Sequence, residues 1–366
     1  MNRRNFLKTS ASAPALLATT SLLPCAISSA IAQGNSAWRV FEVTTRVEVL
    51  KPVGVTRVWL PVPLVNDTGY QKSLGNQWNA EGGQAAFSQD AMSSTGIVSA
   101  EWAIGAKPVL TLTSRFATLN RAIDLGTPAV APVARKEELQ YFLQPTQFIP
   151  TDGLVKSTAM EATKGATTDV AKARAIYEWI VENTYRDPKT RGCGVGDIKF
   201  MLESKNLGGK CADLNALYVG LARAAGLPAR DVYGVRVADS RNGYKSLGKS
   251  DVITKAQHCR AEVYLTQYGW VPVDPADVRK VILEEEPGKL LTLQDERVMK
   301  ARKALFGSWE MNWLGFNYGH DISLPGSTRG KIAFFMYPQS ETADGRLDSL
   351  DPDNFKYQIT SKELIV

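Results

Sequence analysis

The sequence predicts an α+β protein: an antiparallel β-sandwich followed by a second domain in which helices and strands are mixed. Three observations carry this prediction. The chain has 366 residues, which suits two domains at roughly 150 residues each. Apolar residues alternate with a period of two from Trp38 to about Ile123, the spacing of half-buried strands. Beyond residue 150, stretches with helical periodicity give way to short runs rich in β-branched residues.

The alternation is clearest in Phe41, Val43, Thr45, Val47 and Val49, and again in Val58, Leu60 and Val62. Pro52, Gly54, Pro61, Pro63 and Gly69 punctuate the runs, as expected of turns in a small antiparallel sandwich. Residues 126–150 read as a linker, rich in Pro, Ala and Gly up to residue 135, and Pro150, Thr151 and Asp152 form a helix entrance. Residues 168–184 place Val170, Ala173, Ile176, Tyr177, Ile180 and Val181 on one helical face. A second helix is expected from Cys211 to Ala225, ended by Gly226 and Pro228. Strands are expected at 231–237, 260–265, 270–273, 332–336 and 355–359, and a helix near 293–306. The domain organisation read from this pattern is a leader at 1–32, a sandwich at 33–125, a linker at 126–150 and a mixed helix–strand domain at 151–366.

Residues 1–32 have the three parts of an export signal: Arg3 and Arg4, a weakly apolar stretch from Ala13 to Ile31, and the small residues Ala30 and Ala32 before Gln33. The run from Arg3 to Lys8 resembles the twin-arginine signature, which implies export by the twin-arginine machinery, a mature chain starting near Gln33 and a periplasmic or otherwise exported location. A membrane anchor needs about 20 strongly apolar residues. Thr19, Thr20, Ser21, Pro24, Ser28 and Ser29 break this stretch, so no stable span is expected in the mature chain, and Pro24 disfavours a lipid anchor at Cys25.

The formal net charge is +6, and loss of Arg3, Arg4 and Lys8 from a leader without acidic residues leaves +3. Later basic residues are interleaved with acids, as in Arg297, Lys300 and Arg302 beside Asp295 and Glu296, so nucleic acid is not an expected partner.

Without Cys25 the chain keeps Cys193, Cys211 and Cys259, an odd number that leaves one thiol unpaired in an oxidising compartment. Cys211 follows Gly208-Gly209-Lys210 and opens a long apolar helix, where free N–H groups and the helix dipole stabilise a thiolate. The glycines suggest room for a substrate backbone near the sulfur. A buried inert cysteine at a helix start fits the same residues. A thiol nucleophile needs a base, and the chain has two histidines, His258 and His320. His258 begins a strand whose alternation sets His258, Arg260, Glu262 and Tyr264 on one face and Cys259 on the other. His320 reads as structural. Asp274 returns on the next strand, where a tight turn sets it opposite Ala261, so a longer loop or a bulge is expected if it is to reach His258. A turn aspartate before Pro275 is the alternative.

Taken together, Gly208 to Asp213, Leu221 to Arg230, His258 to Leu265 and Gly269 to Pro275 resemble, in order, the nucleophile helix, histidine strand and aspartate strand of the transglutaminase-like superfamily. Residues 171–185 resemble the family's preceding helix, and 38–123 more loosely its bacterial amino-terminal β-domain; the fit weakens after Val278. One departure is Arg260, where the family often has an aromatic residue. The resemblance implies a papain-like core, with the nucleophile helix packed on an antiparallel sheet, and catalytic residues Cys211, His258 and Asp274. It also implies no metal and no organic cofactor, and an oxyanion hole made by the Cys211 N–H and a second donor. The expected chemistry is thioester formation on a peptide or protein substrate, a cell-wall peptide among the possibilities, resolved by water or by an amine. A catalytically silent scaffold of the cell envelope is the rival reading. A zinc site of Cys193, Cys211, Cys259 and His258 lacks paired Cys-x-x-Cys spacing. With Cys211 as the nucleophile, a Cys193–Cys259 disulfide is expected, closing a loop of about 65 residues worth roughly 4 kcal/mol.

Overall fold

The computed structural model of the chain describes residues 37–127 and 134–365. The export-signal reading therefore lies outside the described residues. Among the described residues no helix is long and apolar enough to cross a membrane.

The alternating segments form two five-stranded antiparallel sheets packed face to face. One is ordered Asp251–Val252, Phe355–Leu364, Arg39–Val49, Val109–Thr118, Gln71–Glu81; the other Gly345–Arg346, Gln339–Thr342, Thr56–Pro61, Thr95–Trp102, Gln84–Asp90. Val47, Val58, Leu60, Val98, Leu110 and Phe355 fill the space between them. Residues 339–364, which the sequence reading grouped with the mixed helix–strand domain, thus pair with the sandwich. Phe355–Leu364 runs antiparallel to Arg39–Val49 over its full length, from Phe355 opposite Val49 to Leu364 opposite Val40. That pairing removes what would otherwise be a long exposed edge.

The remaining sheet has four antiparallel strands, in the order Gly269–Val273, Gln257–Leu265, Ala229–Arg236, Trp313–Asn317. The helix Cys211–Ala224 lies on it, and every residue of that helix is buried. The helix is covered all round: the sheet lies on one side, and Gly153–Ala162, Asp169–Asn183 and Pro275–Glu284 on the others. The helix Asp169–Asn183 does bury the stripe its sequence predicts, Ala173, Ile176, Tyr177, Ile180 and Val181, and Thr168 caps it through the Ala171 N–H.

Part of the segment expected as linker packs against this core. It contains the helix Lys136–Tyr141, and Phe142 is buried edge-on to Trp270 and Tyr318. Phe41, Phe116 and Ile359 of the sandwich pack with Val235, Leu314 and Phe316 of the four-stranded sheet, so the sandwich buttresses the strands that carry the site.

Candidate active site

Cys211 occupies the first turn of its helix, with an N–H that has no intrahelical acceptor. Asp213 organises this end. Its Oδ2 accepts the Lys210 N–H at 2.9 Å, and its Oδ1 accepts the N–H groups of Val195 and Gly196, each at 2.9 Å. The loop before the helix is thereby drawn across the helix start, where the Cys193 carbonyl accepts the Ala212 N–H at 2.9 Å. Gly208 and Gly209 do not leave room for a substrate backbone. A Cβ on Gly208 would meet the Tyr185 ring at 2.3 Å, and one on Gly209 would meet Asp213 Cβ at 2.5 Å. Their smallness serves the packing of the chain itself.

His258 and Asp274 meet, with His258 Nε2 2.7 Å from Asp274 Oδ2. The register differs from expectation. Val273, not Asp274, faces Ala261, and the strands are joined by a short turn in which the Tyr268 N–H donates to Leu265 O at 2.8 Å and Gly269 takes φ +72°. No long loop or bulge is used: Asp274 follows Val273 past the last paired position and reaches His258 diagonally, a span open to long side chains. Its Oδ1 accepts the Asp277 N–H at 3.1 Å, which caps the helix Pro275–Glu284, and Asn215 Nδ2 at 3.3 Å. Asp274 is thus fixed from three sides.

Cys193, Cys259 and His258 lie around the Cys211 thiol and act on its ionisation. The influence of Cys193 first, then of Cys259, holds Cys211 well below the usual thiol range; burial opposes this and His258 adds to it. Burial alone would lower the His258 pKa, but the carboxylates of Asp277 and Asp274 outweigh it and the repulsion of Arg236, and lift it to about 9. Both shifts favour a thiolate–imidazolium pair.

The three sulfurs are free thiols. The expected Cys193–Cys259 bridge is not formed. Cys259 faces the nucleophile helix, on the other side of the strand from Arg260 and Glu262, as alternation predicts. His320 lies apart from Cys211, its Nε2 3.1 Å from Asp231 Oδ2.

Several residues around the site were not singled out from the sequence. Asn215, four residues after Cys211 and so on the same helical face, donates to Cys259 O at 2.8 Å as well as to Asp274. Arg236 grips Asp277 with contacts of 2.6 and 2.8 Å, and burial notwithstanding, it holds that carboxyl well below the usual range. Arg260, the departure from the family pattern, is buried with its guanidinium 4.9 Å from the Trp313 ring centre and its Nε 3.6 Å from Asp274 Oδ2. It supplies a cation beside Asp274 where an aromatic residue would supply only bulk. Gln257 lines the cleft beside His258, and its Nε2 is buried without a hydrogen-bond partner.

Cys211, His258 and Cys193 open onto a cleft of about 820 Å³. Its far wall comes from the sandwich and its approach: Leu350, Pro352, Phe355 and Tyr357. Among the described residues, one group brings three potential metal-ligating atoms within 4.8 Å of one another, His258, Asp274 and Asp277; the cysteines form no such group. Arg236 and Arg260 already neutralise those carboxylates, and their charges would repel a cation.

A helix that starts at a buried cysteine and packs over an antiparallel sheet carrying a histidine paired with an aspartate defines an α+β protein with a papain-like core. The family model described as "Transglutaminase-like superfamily" matches residues 156–275, a span that contains all three residues, and the chain belongs to this superfamily. It is 33% identical over 353 residues to an uncharacterized protein of Haemophilus influenzae, covering 90% of this chain and 93% of the relative. The fold is shared with a Cytophaga hutchinsonii protein described as a candidate cysteine protease (TM-score 0.51, 18% identity, 89% of this chain and 99% of that one). The periplasmic domain of TgpA from Pseudomonas aeruginosa aligns more loosely (TM-score 0.35, 17% identity, 70% and 93% covered).

Proposed function

We propose that the protein is an exported cysteine enzyme that takes an acyl group from an amide of a peptide or protein onto Cys211 and passes it to water or an amine. The observation that carries this reading is the His258–Asp274 pair, 2.7 Å apart, with His258 lining the same cleft as Cys211, a cleft large enough for a few peptide residues. Export is supported by the signal-like pattern of residues 1–32.

In the proposed cycle the Cys211 thiolate attacks the carbonyl carbon. The oxyanion is received by the Cys211 N–H and by Gln257 Nε2, the donor otherwise left without a partner. The His258 imidazolium gives its proton to the departing amine, the C–N bond breaks and a thioester remains on Cys211. Neutral His258 then takes a proton from water or an incoming amine, which attacks the thioester, and Cys211 leaves as thiolate. Asp274 keeps one imidazole orientation throughout and stabilises the imidazolium.

The test is intact-mass detection of an acyl adduct after exposure to a reactive thioester or amide probe. Wild type is expected to gain one acyl group and Cys211→Ala none. Equal labelling of Cys211→Ala would mean that the nucleophile is another residue.

A further inference from the structure

The lining of the Cys211 cleft is one-sided in charge. Seven Lys or Arg side chains reach it and no Asp or Glu does. Four of the seven have partners outside the lining: Arg186 and Lys280 with Glu284, Arg191 with Asp348, and Arg236 with Asp277. Lys210, Lys249 and Lys255 have no ion-pair partner among the described residues. Lys210 directly precedes the nucleophile, and Lys255 lies three residues before His258. Lys249 and Lys255 are exposed on the connection that leads into the histidine strand. The opposite wall, with Leu350, Pro352, Phe355 and Tyr357, is apolar and aromatic.

Uncompensated cations cost nothing to fold at an exposed rim, but inside a concave, partly desolvated cleft they create a field that concentrates anions. Lys210 is only partly exposed and adjoins the reacting sulfur, so this field is strongest where the scissile group must sit. We infer that the preferred acyl donor is an acidic peptide, with one or more carboxylates within a residue or two of the scissile bond and an apolar side chain against the Phe355–Tyr357 wall. The inference rests on the acyl-transfer reading above for its chemistry, but its charge argument does not. The same field disfavours an approaching ammonium group, which makes water the favoured acyl acceptor.

The experiment uses the full chain and three matched benzyl thioesters, of N-acetyl-Glu-Ala, N-acetyl-Gln-Ala and N-acetyl-Lys-Ala, with acylation of Cys211 followed by intact mass. Attack forms the Cys211 thioester and releases benzyl thiol. At low ionic strength the Glu probe is expected to react about tenfold faster than the Gln probe and the Lys probe slowest, with the spread collapsing to about twofold in 1 M salt. The double variant Lys249→Glu, Lys255→Glu, which removes two exposed cations that touch no catalytic group, should reverse the order and leave alkylation by neutral iodoacetamide unchanged. Equal rates for all three probes, unmoved by salt, would overturn the inference while leaving acyl transfer standing. If no probe acylates Cys211, the acyl-transfer reading fails, and the charge of the cleft is read instead from alkylation. The ratio of iodoacetate to iodoacetamide rates is expected to exceed that of a free cysteine peptide by about tenfold, and to fall to the peptide value in the double variant. A wild-type ratio equal to the peptide's would overturn the inference as well.

Discussion

The carboxylate of Asp213 and the backbone of Gly194 occupy adjacent space so tightly that a Cβ on Gly194 would stand 1.8 Å from Asp213 Oδ2. Gly194 also has φ +94°, a conformation that side-chain-bearing residues rarely adopt. This contact seats the Cys193 loop over the nucleophile helix. Gly194→Ala is therefore expected to destabilise the fold by about 2–4 kcal/mol and to slow alkylation of Cys211, because the loop can no longer close on Asp213. Gly226 shares a positive φ but has open space around its Cα, so Gly226→Ala should cost only about 1 kcal/mol and spare Cys211. Urea denaturation of the two variants side by side makes the comparison.

The pH dependence follows from two opposed shifts. Cys211 lies well below its usual range, and His258 is raised from 6.5 to about 9, so both shifts favour the charged pair. Acylation should show a broad plateau, an acid limb where the thiolate is protonated and an alkaline limb near 9 where His258 loses its proton; these apparent values belong to the coupled pair. Because the folded-state value of His258 is the raised one, its contribution to stability is complete below about 6.5 and is lost as pH rises through about 9. Asp274→Asn removes one of the carboxylates that hold the proton. Its alkaline limb should move to lower pH and its turnover fall by about 10²- to 10⁴-fold, while iodoacetamide still labels the thiol. An unmoved alkaline limb in Asp274→Asn would show that His258 is not the group titrating there.

The sequence carried the ingredients of the site better than its assembly. Period-two alternation correctly assigned Cys259 and His258 to opposite faces, because strand pleating is a local property. It did not reveal that the Cys259 face is the one turned to the Cys211 helix, where Cys259 is a free buried thiol and not half of a disulfide. The register between the histidine and aspartate strands missed by one residue, since it depends on whether Gly269 adopts a positive φ at the turn. Residues 339–364 could not be placed in the sandwich from local pattern, because their partners are about 300 positions earlier in the chain. Arg260 was visible as an exception to the family pattern. Its role as a cation wedged between Trp313 and Asp274 needed the three-dimensional neighbours.

Cys193 is the largest single influence lowering the Cys211 pKa. Cys193→Ala should raise the pH at which Cys211 becomes reactive. Iodoacetamide labelling should slow by about tenfold on the acid limb, if the Cys193 contact is worth about 1.4 kcal/mol, and match wild type at high pH, where the thiolate forms in either protein. In wild type unfolded without reductant, peptide mapping should find Cys193 and Cys259 both alkylated. A cross-linked Cys193–Cys259 peptide would instead restore the disulfide and assign the low Cys211 pKa to His258.

Gln257 offers a separation between binding the oxyanion and activating the thiol. Its Nε2 is buried beside the cleft without a partner, an arrangement that costs free energy in the resting protein unless an acceptor arrives during the reaction. Its backbone carbonyl, not its side chain, accepts the Cys193 thiol at 3.3 Å, so a side-chain substitution leaves that bond in place. Gln257→Leu keeps much of the volume and removes the amide. Acylation by a peptide thioester passes through a tetrahedral oxyanion and should slow by about 10²- to 10³-fold, whereas alkylation by iodoacetamide, which has no oxyanion, should proceed at the wild-type rate. Because the resting protein loses an unsatisfied polar group, the variant should be as stable as wild type or more so. Equal slowing of acylation and alkylation would place Gln257 in the support of Cys211 itself, and unchanged acylation would mean that the second oxyanion donor lies elsewhere in the cleft.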